Sequence, residues 1–290
     1  MIYSPLRYPG GKGKLASFMK VLIEKTDHKG GTYIEPFAGG AGIALDLLEN
    51  DVVSQIVIND LDKGIYSFWR AILNETNRFV EAIFEVPVTV EEWKYQRNVL
   101  LQADNKYSFE LGFATFYLNR TNRSGIINGG MIGGIEQTGS WKLNARFNKE
   151  NLADRILNIV KKKECIHLYN KDVSSLIKNY LPKYEKDAFV YFDPPYFKKG
   201  KQLYLNFFNE QDHIRIEKLI KESLTCDWVI TYDDAPEIAD IYANYELRRF
   251  DLNYSVAKKR RASEIIIFSN KDMIPDEKSL EDNKICINLR

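Results

Sequence analysis

Residues 32–60 restrict the fold of this chain more than any other stretch. Thr32-Tyr-Ile-Glu35 is a short apolar strand that runs into Pro36-Phe-Ala-Gly-Gly-Ala-Gly42, after which Ile43, Ala44, Leu47 and Leu48 recur at helical spacing. A second strand, Gln55-Ile-Val-Ile58, stops at Asn59-Asp60. Strand, glycine turn, helix and strand in this order begin a parallel α/β sheet. Such a turn brings backbone close to a ligand at a helix N-terminus. The acid closing the next strand can accept hydrogen bonds from ribose hydroxyls. Gly39, Gly40 and Gly42 supply the turn, and Asp60 stands roughly 20 residues on, at the spacing of a ribose-binding acid. The pattern suits a dinucleotide or S-adenosyl-L-methionine. It is not G-x-G-x-x-G, and no P-loop lysine follows it.

The α/β pattern then breaks off. From about 65 to 118 the chain reads as helical: Tyr66, Trp69, Ile72 and Leu73 share one face, as do Leu111, Ala114, Thr115 and Leu118. Residues 121–141 are rich in glycine, serine and asparagine, and Asn128-Gly-Gly and Gly133-Gly134 predict turns or a hairpin. Near 161 the α/β pattern returns. Cys165-Ile-His-Leu168, Phe189-Val-Tyr-Phe192 and Trp228-Val-Ile230 read as strands, and Ile214, Ile216, Leu219 and Ile220 as the apolar side of a helix. Leu247–Leu252 and Glu264–Phe268 read as an antiparallel pair joined by a basic loop. The expected architecture is a catalytic domain of residues 1–64 and 161–290, interrupted by an inserted, mainly helical domain of 65–160 with a glycine-rich hairpin near 121–142.

Asp193-Pro-Pro-Tyr196 ends the strand at Phe192, where open α/β sheets place their ligands. The residue types suit an amino group on a planar ring. Such a nitrogen is a poor nucleophile because its lone pair is delocalised. Two acceptors on its hydrogens return density to it. Asp193 offers a carboxylate, and Pro194 offers a main-chain carbonyl whose direction two prolines hold. Tyr196 offers a flat ring for a base to stack on, about 1–3 kcal/mol by substitution. A base must leave its duplex to reach such a site.

Composition narrows the setting. Of 290 residues 44% are hydrophobic and 28% charged, as in an ordinary globular protein, and no apolar run is long enough for a membrane span. Cys165, Cys226 and Cys286 are isolated and odd in number, which fits a reducing compartment, so a cytoplasmic protein is expected. His28, His167 and His213 are equally scattered, and no Cys/His spacing calls for a metal. The net charge of +1 does not announce a polyanionic partner, but local basic groups exist. They are Arg120 with Arg123, Lys198-Lys199 with Lys201, and Lys258-Lys259-Arg260-Arg261.

Four blocks carry a resemblance to a known family. They are Arg7-Tyr-Pro-Gly-Gly-Lys12, Glu35-Pro-Phe-Ala-Gly-Gly-Ala-Gly42, Asn59-Asp60 and Asp193-Pro-Pro-Tyr196. In this order, with an insertion before the last, they resemble the Dam-like, D12-class N6-adenine-specific DNA methyltransferases. Tyr254-Ser255, Arg260 or Arg261 and Glu264-Ile-Ile266 look like that family's last strand pair. The resemblance implies a Rossmann-like S-adenosyl-L-methionine-dependent methyltransferase sheet with an inserted DNA-recognition domain. It also implies double-stranded DNA as substrate, with a cognate restriction endonuclease as the protein partner to look for and a monomer as the expected state. Tyr8, Lys12, Phe37, Ala38, Gly39, Asp60, Asp172, Asp193 and Tyr204 are expected at the cofactor. Asp193, Pro194 and Tyr196 are expected at the reacting base. Arg120, Asn122, Arg123, Arg146, Lys198 and Lys199 are expected at DNA. Tyr8-Pro9 stands where some members have Trp-Ala, and Val173 where an aromatic is common.

Four other readings use part of the pattern. A catalytically silent DNA-binding module is one, and intact Lys12, Asp60, Asp193 and Tyr196 argue against it. An RNA adenine methyltransferase shares the tetrapeptide chemistry, but the large insertion and the block order favour DNA. An N4-cytosine enzyme more often has Ser-Pro-Pro-Tyr. A nicotinamide dehydrogenase explains the glycine turn and leaves the tetrapeptide without a purpose.

Overall fold

The structure is a computed structural model and describes residues 3–7, 15–104, 106–198, 208–254, 260–285, 287, 289 and 290, with backbone alone at 251–254 and 260–262. The strands are β1 (Thr32–Glu35), β2 (Gln55–Asn59), β3 (Ile166–Tyr169), β4 (Ala188–Phe192), β5 (Asp227–Asp233), β6 (Glu246–Tyr254) and β7 (Arg260–Phe268). The helices are α1 (Leu15–Lys25), α2 (Gly42–Glu49), α3 (Lys63–Asn74), α4 (Thr76–Glu85), α5 (Val90–Gln102), α6 (Phe109–Thr121), α7 (Lys149–Lys161), α8 (Val173–Asn179), α9 (Glu210–Ser223), α10 (Pro236–Ile241) and α11 (Glu277–Asp282). One seven-stranded sheet has the order β3-β2-β1-β4-β5-β7-β6. β1 runs parallel to β2 and β4, and β4 parallel to β5; β7 is antiparallel to both β5 and β6. This is a mixed α/β fold whose strand order follows the doubly wound, Rossmann-like 3-2-1-4-5 pattern. No helix among the described residues is long and apolar enough to cross a membrane.

The chain divides into two compact units, Met1–Gly10 with Asp60–Asn170, and Gly11–Asn59 with Lys171–Arg290. In the second unit every residue of β1 and β4 is buried. Strands covered on both faces read as continuous apolar runs, as β4 does, while β1 buries Thr32 and Glu35 beside its Tyr33 and Ile34. α1 buries seven of its eleven residues, and α2 its Ile43, Ala44, Leu45, Leu47 and Leu48.

The other unit is helical. Its helices start where side chains cap them: Asp62 accepts from the Ile65 amide, Thr89 from Glu92, Ser108 from Leu111 and Asn148 from Asn151. α6 buries eleven of its thirteen residues. Phe68, Phe79, Phe109, Phe113 and Phe116 form one aromatic cluster, with Phe68 stacked on Phe116 at 5.9 Å and Phe79 edge-on to Phe116 at 5.3 Å. Such pairs add about 0.5–1.5 kcal/mol each beyond the area they bury. Gly112 lets α6 approach α3, since a Cβ there would meet the Ser67 carbonyl oxygen at 2.5 Å. Residues 3–7 are tied to α6 by Asn119. Its Oδ1 accepts from the Arg7 amide (2.6 Å), and its Nδ2 donates to the Arg7 and Gly125 carbonyls (2.7 and 2.8 Å).

Three expectations need correction. Residues 121–142 are not a two-stranded hairpin. They form a 3₁₀ turn, a single antiparallel bridge between Asn122 and Met131, and further turns. Positive φ at Ser124, Gly125, Gly133 and Gly134 interrupts any extended run. The carbonyls are taken by side chains instead: Asn122 Nδ2 donates to Ile126 and Ile127, and Gln137 Nε2 to Ile132 and Gly134. β3 begins one residue late because Lys163–Cys165 is a 3₁₀ turn. β6 and β7 are longer than their apolar cores, pairing out to Tyr254 opposite Arg260, because ladder hydrogen bonds join backbone whatever the side chain.

Gly112→Ala should lower the unfolding free energy by roughly 1–3 kcal/mol through overpacking against Ser67, read by urea denaturation. No change would mean that α3 and α6 are not held this close.

Candidate active site

β1 delivers Glu35 to the glycine turn. Gly39 and Ala41 both have φ of 47°, so the turn passes through the left-handed region just before α2. For Ala41 this costs about 1–2 kcal/mol. Ala41 has no side chain able to cap α2, and Glu35 takes over: its Oε1 accepts the Ala44 amide at 3.1 Å. Asn59, the last residue of β2, fastens two loops. Its Nδ2 donates to the carbonyls of Pro36 (2.9 Å) and Lys171 (3.0 Å), and its Oδ1 accepts the Lys171 amide (2.8 Å). The glycine turn and Asp172 are thereby held to one residue. Asp172 is exposed and caps α8 through the Ser174 amide (3.0 Å). Asp60, half-buried, follows β2 directly. Its Oδ1 accepts the Asp62 amide (2.9 Å), and Asn170 Nδ2 donates to its carbonyl (2.7 Å).

β4 delivers Asp193-Pro-Pro-Tyr196. Tyr191 Oη and Thr231 Oγ1 lie 2.8 Å apart, and Thr231 Oγ1 donates to Asp193 Oδ1 at 3.4 Å. The Tyr196 hydroxyl donates to Glu264 Oε1 at 2.6 Å. Asp233 accepts the amides of Phe197 (2.8 Å) and Lys198 (3.0 Å). The Lys198 ammonium donates to the Asp234 carbonyl.

An aromatic chain joins the glycine turn to the tetrapeptide. Phe37 meets Phe208 edge-on at 5.8 Å, Phe208 meets His213 at 5.5 Å, and His213 meets Phe197 at 5.4 Å and Tyr232 at 5.3 Å. His213 is fully buried with Nδ1 3.1 Å from the Tyr232 hydroxyl, and burial pushes its pKa down to about 4.

The helical unit carries a group of guanidiniums. Arg120 is pushed down to about 9, first by burial and then by the positive charges of Arg7, Arg155 and Arg146. Arg120 Nε donates to the Arg146 carbonyl (2.7 Å), Arg7 Nη1 to the Asn122 carbonyl (3.1 Å) and Arg155 Nη1 to the Ser4 carbonyl (3.0 Å). No carboxylate pairs with these four among the described residues. Exposed Arg146 lies 5.8 Å from the ring of Trp141, which is 67% exposed. Arg123 is exposed as well.

The structure thus brings Phe37, Ala38, Gly39, Asp172, Asp193, Pro194 and Tyr196 onto one unit. Tyr8, Lys12, Lys199 and Tyr204 lie outside the described residues. Asn122 is a correction. It has no exposed surface, and its amide is spent on Ile126, Ile127 and the Trp93 indole N–H (2.6 Å), so it shapes the loop from within. Sequence reasoning gave no role to Glu35, Asn59, Phe208, His213, Asp233 or Arg7, because the partner of each is set by packing and not by local spacing.

A family model described as D12 class N6 adenine-specific DNA methyltransferase matches residues 8–256. The chain is similar to the type II methyltransferase M.MjaIII of Methanocaldococcus jannaschii, 24% identical over 235 residues that cover 75% of this chain and 78% of that protein. Solved structures with some likeness include the rRNA methyltransferase aviRa of Streptomyces viridochromogenes, with a TM-score of 0.38, 12% identity, and 92% of this chain and 88% of that one covered. A dimethyladenosine transferase of Plasmodium falciparum has a TM-score of 0.35 and 12% identity, with 95% and 65% covered. Likeness at this level says nothing of what the chain acts on.

His213 gives a pH test. Between about pH 4 and 6.5 the unfolded chain takes up a proton at His213 that the folded chain refuses. Its contribution to stability is therefore full above 6.5 and lost as pH falls towards 4, about 3 kcal/mol in all. His213→Asn should flatten the rise in urea midpoint across that window; an unaltered slope would show that other groups set it.

Proposed function

The chain belongs to the D12 class of N6-adenine-specific DNA methyltransferases, and from that premise we propose how its residues divide the reaction. It is an adenine-specific DNA methyltransferase. The observation that carries the residue roles is the setting of Asp193 and Tyr196. Both are held from behind by Thr231 and Glu264, on the unit that carries the glycine turn.

S-adenosyl-L-methionine is the cofactor of this reading, and the turn fits it. Residues 38–42 carry no side chain larger than a methyl group, so a ligand can approach main chain there. Phe37, Ala38 and Gly39 pass the methionine end, Asp60 takes the ribose hydroxyls and Asp172 the adenine end. Tyr8, Lys12 and Tyr204 complete the set by resemblance. When bound, the cofactor supplies a methyl group on a sulfonium, ready to leave from a cation. Asp193 and the Pro194 carbonyl accept hydrogen bonds from the two N6–H groups of the target adenine and return electron density to that nitrogen; the one proton it sheds on methylation passes to water. Tyr196 stacks on the base, which has been flipped from the duplex. The protein's contribution is positioning and electrostatics at one amino group.

Residues 65–160, within the helical unit, are the recognition domain of this reading. The unit's guanidinium group holds positive charge that burial and mutual repulsion make costly, and phosphates relieve both. Arg123 and Arg146, being exposed, are the base readers of this reading. Arg120, Arg7 and Arg155 set the local potential, and Lys198 and Lys199 hold the strand around the flipped base. Double-stranded DNA in the cytoplasm is the substrate, and a restriction endonuclease of the same site is the partner to seek.

Labelled methyl groups should appear at N6 of adenine in duplex DNA and not in RNA, and Asp193→Ala should abolish transfer while circular dichroism stays unchanged. Full transfer by that variant would sink the mechanism. Arg146→Ala separates two roles. A lost phosphate contact lowers the slope of log affinity against log salt by about 0.9. A lost guanine contact instead relaxes the site by about 1–3 kcal/mol, seen by mapping methylated adenines. Neither change would remove Arg146 from the interface.

A further inference from the structure

Three consecutive residues of the active-site loop present three donors: the Tyr196 hydroxyl and the amides of Phe197 and Lys198. Two carboxylates take all three. Glu264 accepts the hydroxyl at 2.6 Å, and Asp233 accepts the amides at 2.8 and 3.0 Å. The β5–β7 ladder sets Asp233 directly opposite Glu264, so both side chains leave the same face of the sheet. Both residues are buried, at 7% and 1% exposure. Like charges opposite one another destabilise an antiparallel pair, and burial adds a desolvation cost. Such a pair persists when strong donors meet it, and the three donors named here come from one loop.

We propose that Glu264 is a positioning residue for methyl transfer: it fixes the ring of Tyr196 before the adenine arrives, while Asp233 fixes the backbone behind that ring. The inference rests on the reading of Tyr196 as the stacking platform. A tyrosine held at Cβ and at its hydroxyl has its long axis set by two points. It then loses little further freedom when a base stacks on it, so the amino group meets Asp193 in one geometry. Glu264 acts through Tyr196 and touches neither base nor cofactor in this account. Its effect belongs in kcat, with the affinity for S-adenosyl-L-methionine unchanged.

The test is a double-mutant cycle on the full chain, using duplex DNA on which the wild type transfers methyl groups. Glu264→Leu, which removes the acceptor at similar volume, should lower kcat by about a hundredfold. Its KM and calorimetric Kd for S-adenosyl-L-methionine should stay within about twofold of wild type, the mark of an interaction absent from cofactor binding. Glu264→Gln keeps an acceptor for the hydroxyl and should retain kcat within about fivefold. Tyr196→Phe should lower kcat about tenfold, and adding Glu264→Leu to it should cost less than about threefold more. Equal factors for Glu264→Leu with and without Tyr196→Phe would overturn the inference, as would full kcat in Tyr196→Phe. If Glu264→Leu does not fold, Glu264→Ala takes its place in the cycle by the same criteria, and full kcat in Tyr196→Phe still overturns the inference. A wild-type chain that methylates no duplex DNA would overturn the functional reading itself and the inference with it. Additivity in an active enzyme overturns the inference alone.

Discussion

β1 and β4 lie side by side in parallel, with Thr32 opposite Ala188 and Ile34 opposite Val190. The two strands therefore leave the sheet at the same edge, one into the glycine turn and the other into Asp193-Pro-Pro-Tyr196. Everything attributed to the active site follows from that register. A slip of one residue would turn every side chain of β4 to the opposite face. Both strands are buried on both faces, so the register rests on the fit of their side chains and on buried Glu35, whose carboxylate must reach the Ala44 amide. Phe37, Phe208, His213 and Phe197 then fill the space between the two loops with ring contacts.

The polar groups around the site act mainly from behind. Glu35 caps a helix that Ala41 cannot, and Asn59 fastens the glycine turn to Lys171. Thr231, Asp233 and Glu264 hold the tetrapeptide and the residues after it. Burying such groups is costly unless each finds a partner, and here the partners are the loops that need fixing. The helical unit uses the opposite device. Its guanidiniums are gathered, with no carboxylate paired to Arg7, Arg120, Arg146 or Arg155 among the described residues, and it is this group that the proposed function assigns to DNA.

Much of this was legible in the residues themselves. The strand–turn–helix of 32–49, the helical run from 65 to 118 and the strand ending at Asp193 all appear where periodicity puts them, because each rests on local patterns of apolar spacing, glycine and proline. The glycine-rich stretch reads as turns or a hairpin and folds as turns around a single bridge. Asn and Gly signal turns but do not say whether flanking residues pair, and the side chains of Asn122 and Gln137 took the carbonyls a ladder needs. Asn122 differs from the exposed residue expected there for a related reason. A polar residue between two arginines looks exposed in sequence, and only packing shows it at 0%.

The sequence by itself determined the chemistry: a carboxylate, a proline-fixed carbonyl and an aromatic ring in four consecutive residues, with a glycine turn and an acid placed upstream. These are set by covalent order, which no fold can change. Tertiary structure decided what holds that chemistry in place. Glu264 reaches Tyr196, Asn59 reaches Lys171 and Arg7 reaches Asn122 only after strands and helices distant in sequence have packed. A hydrogen bond between such residues leaves no mark on local spacing, because its geometry is the sum of every element between them.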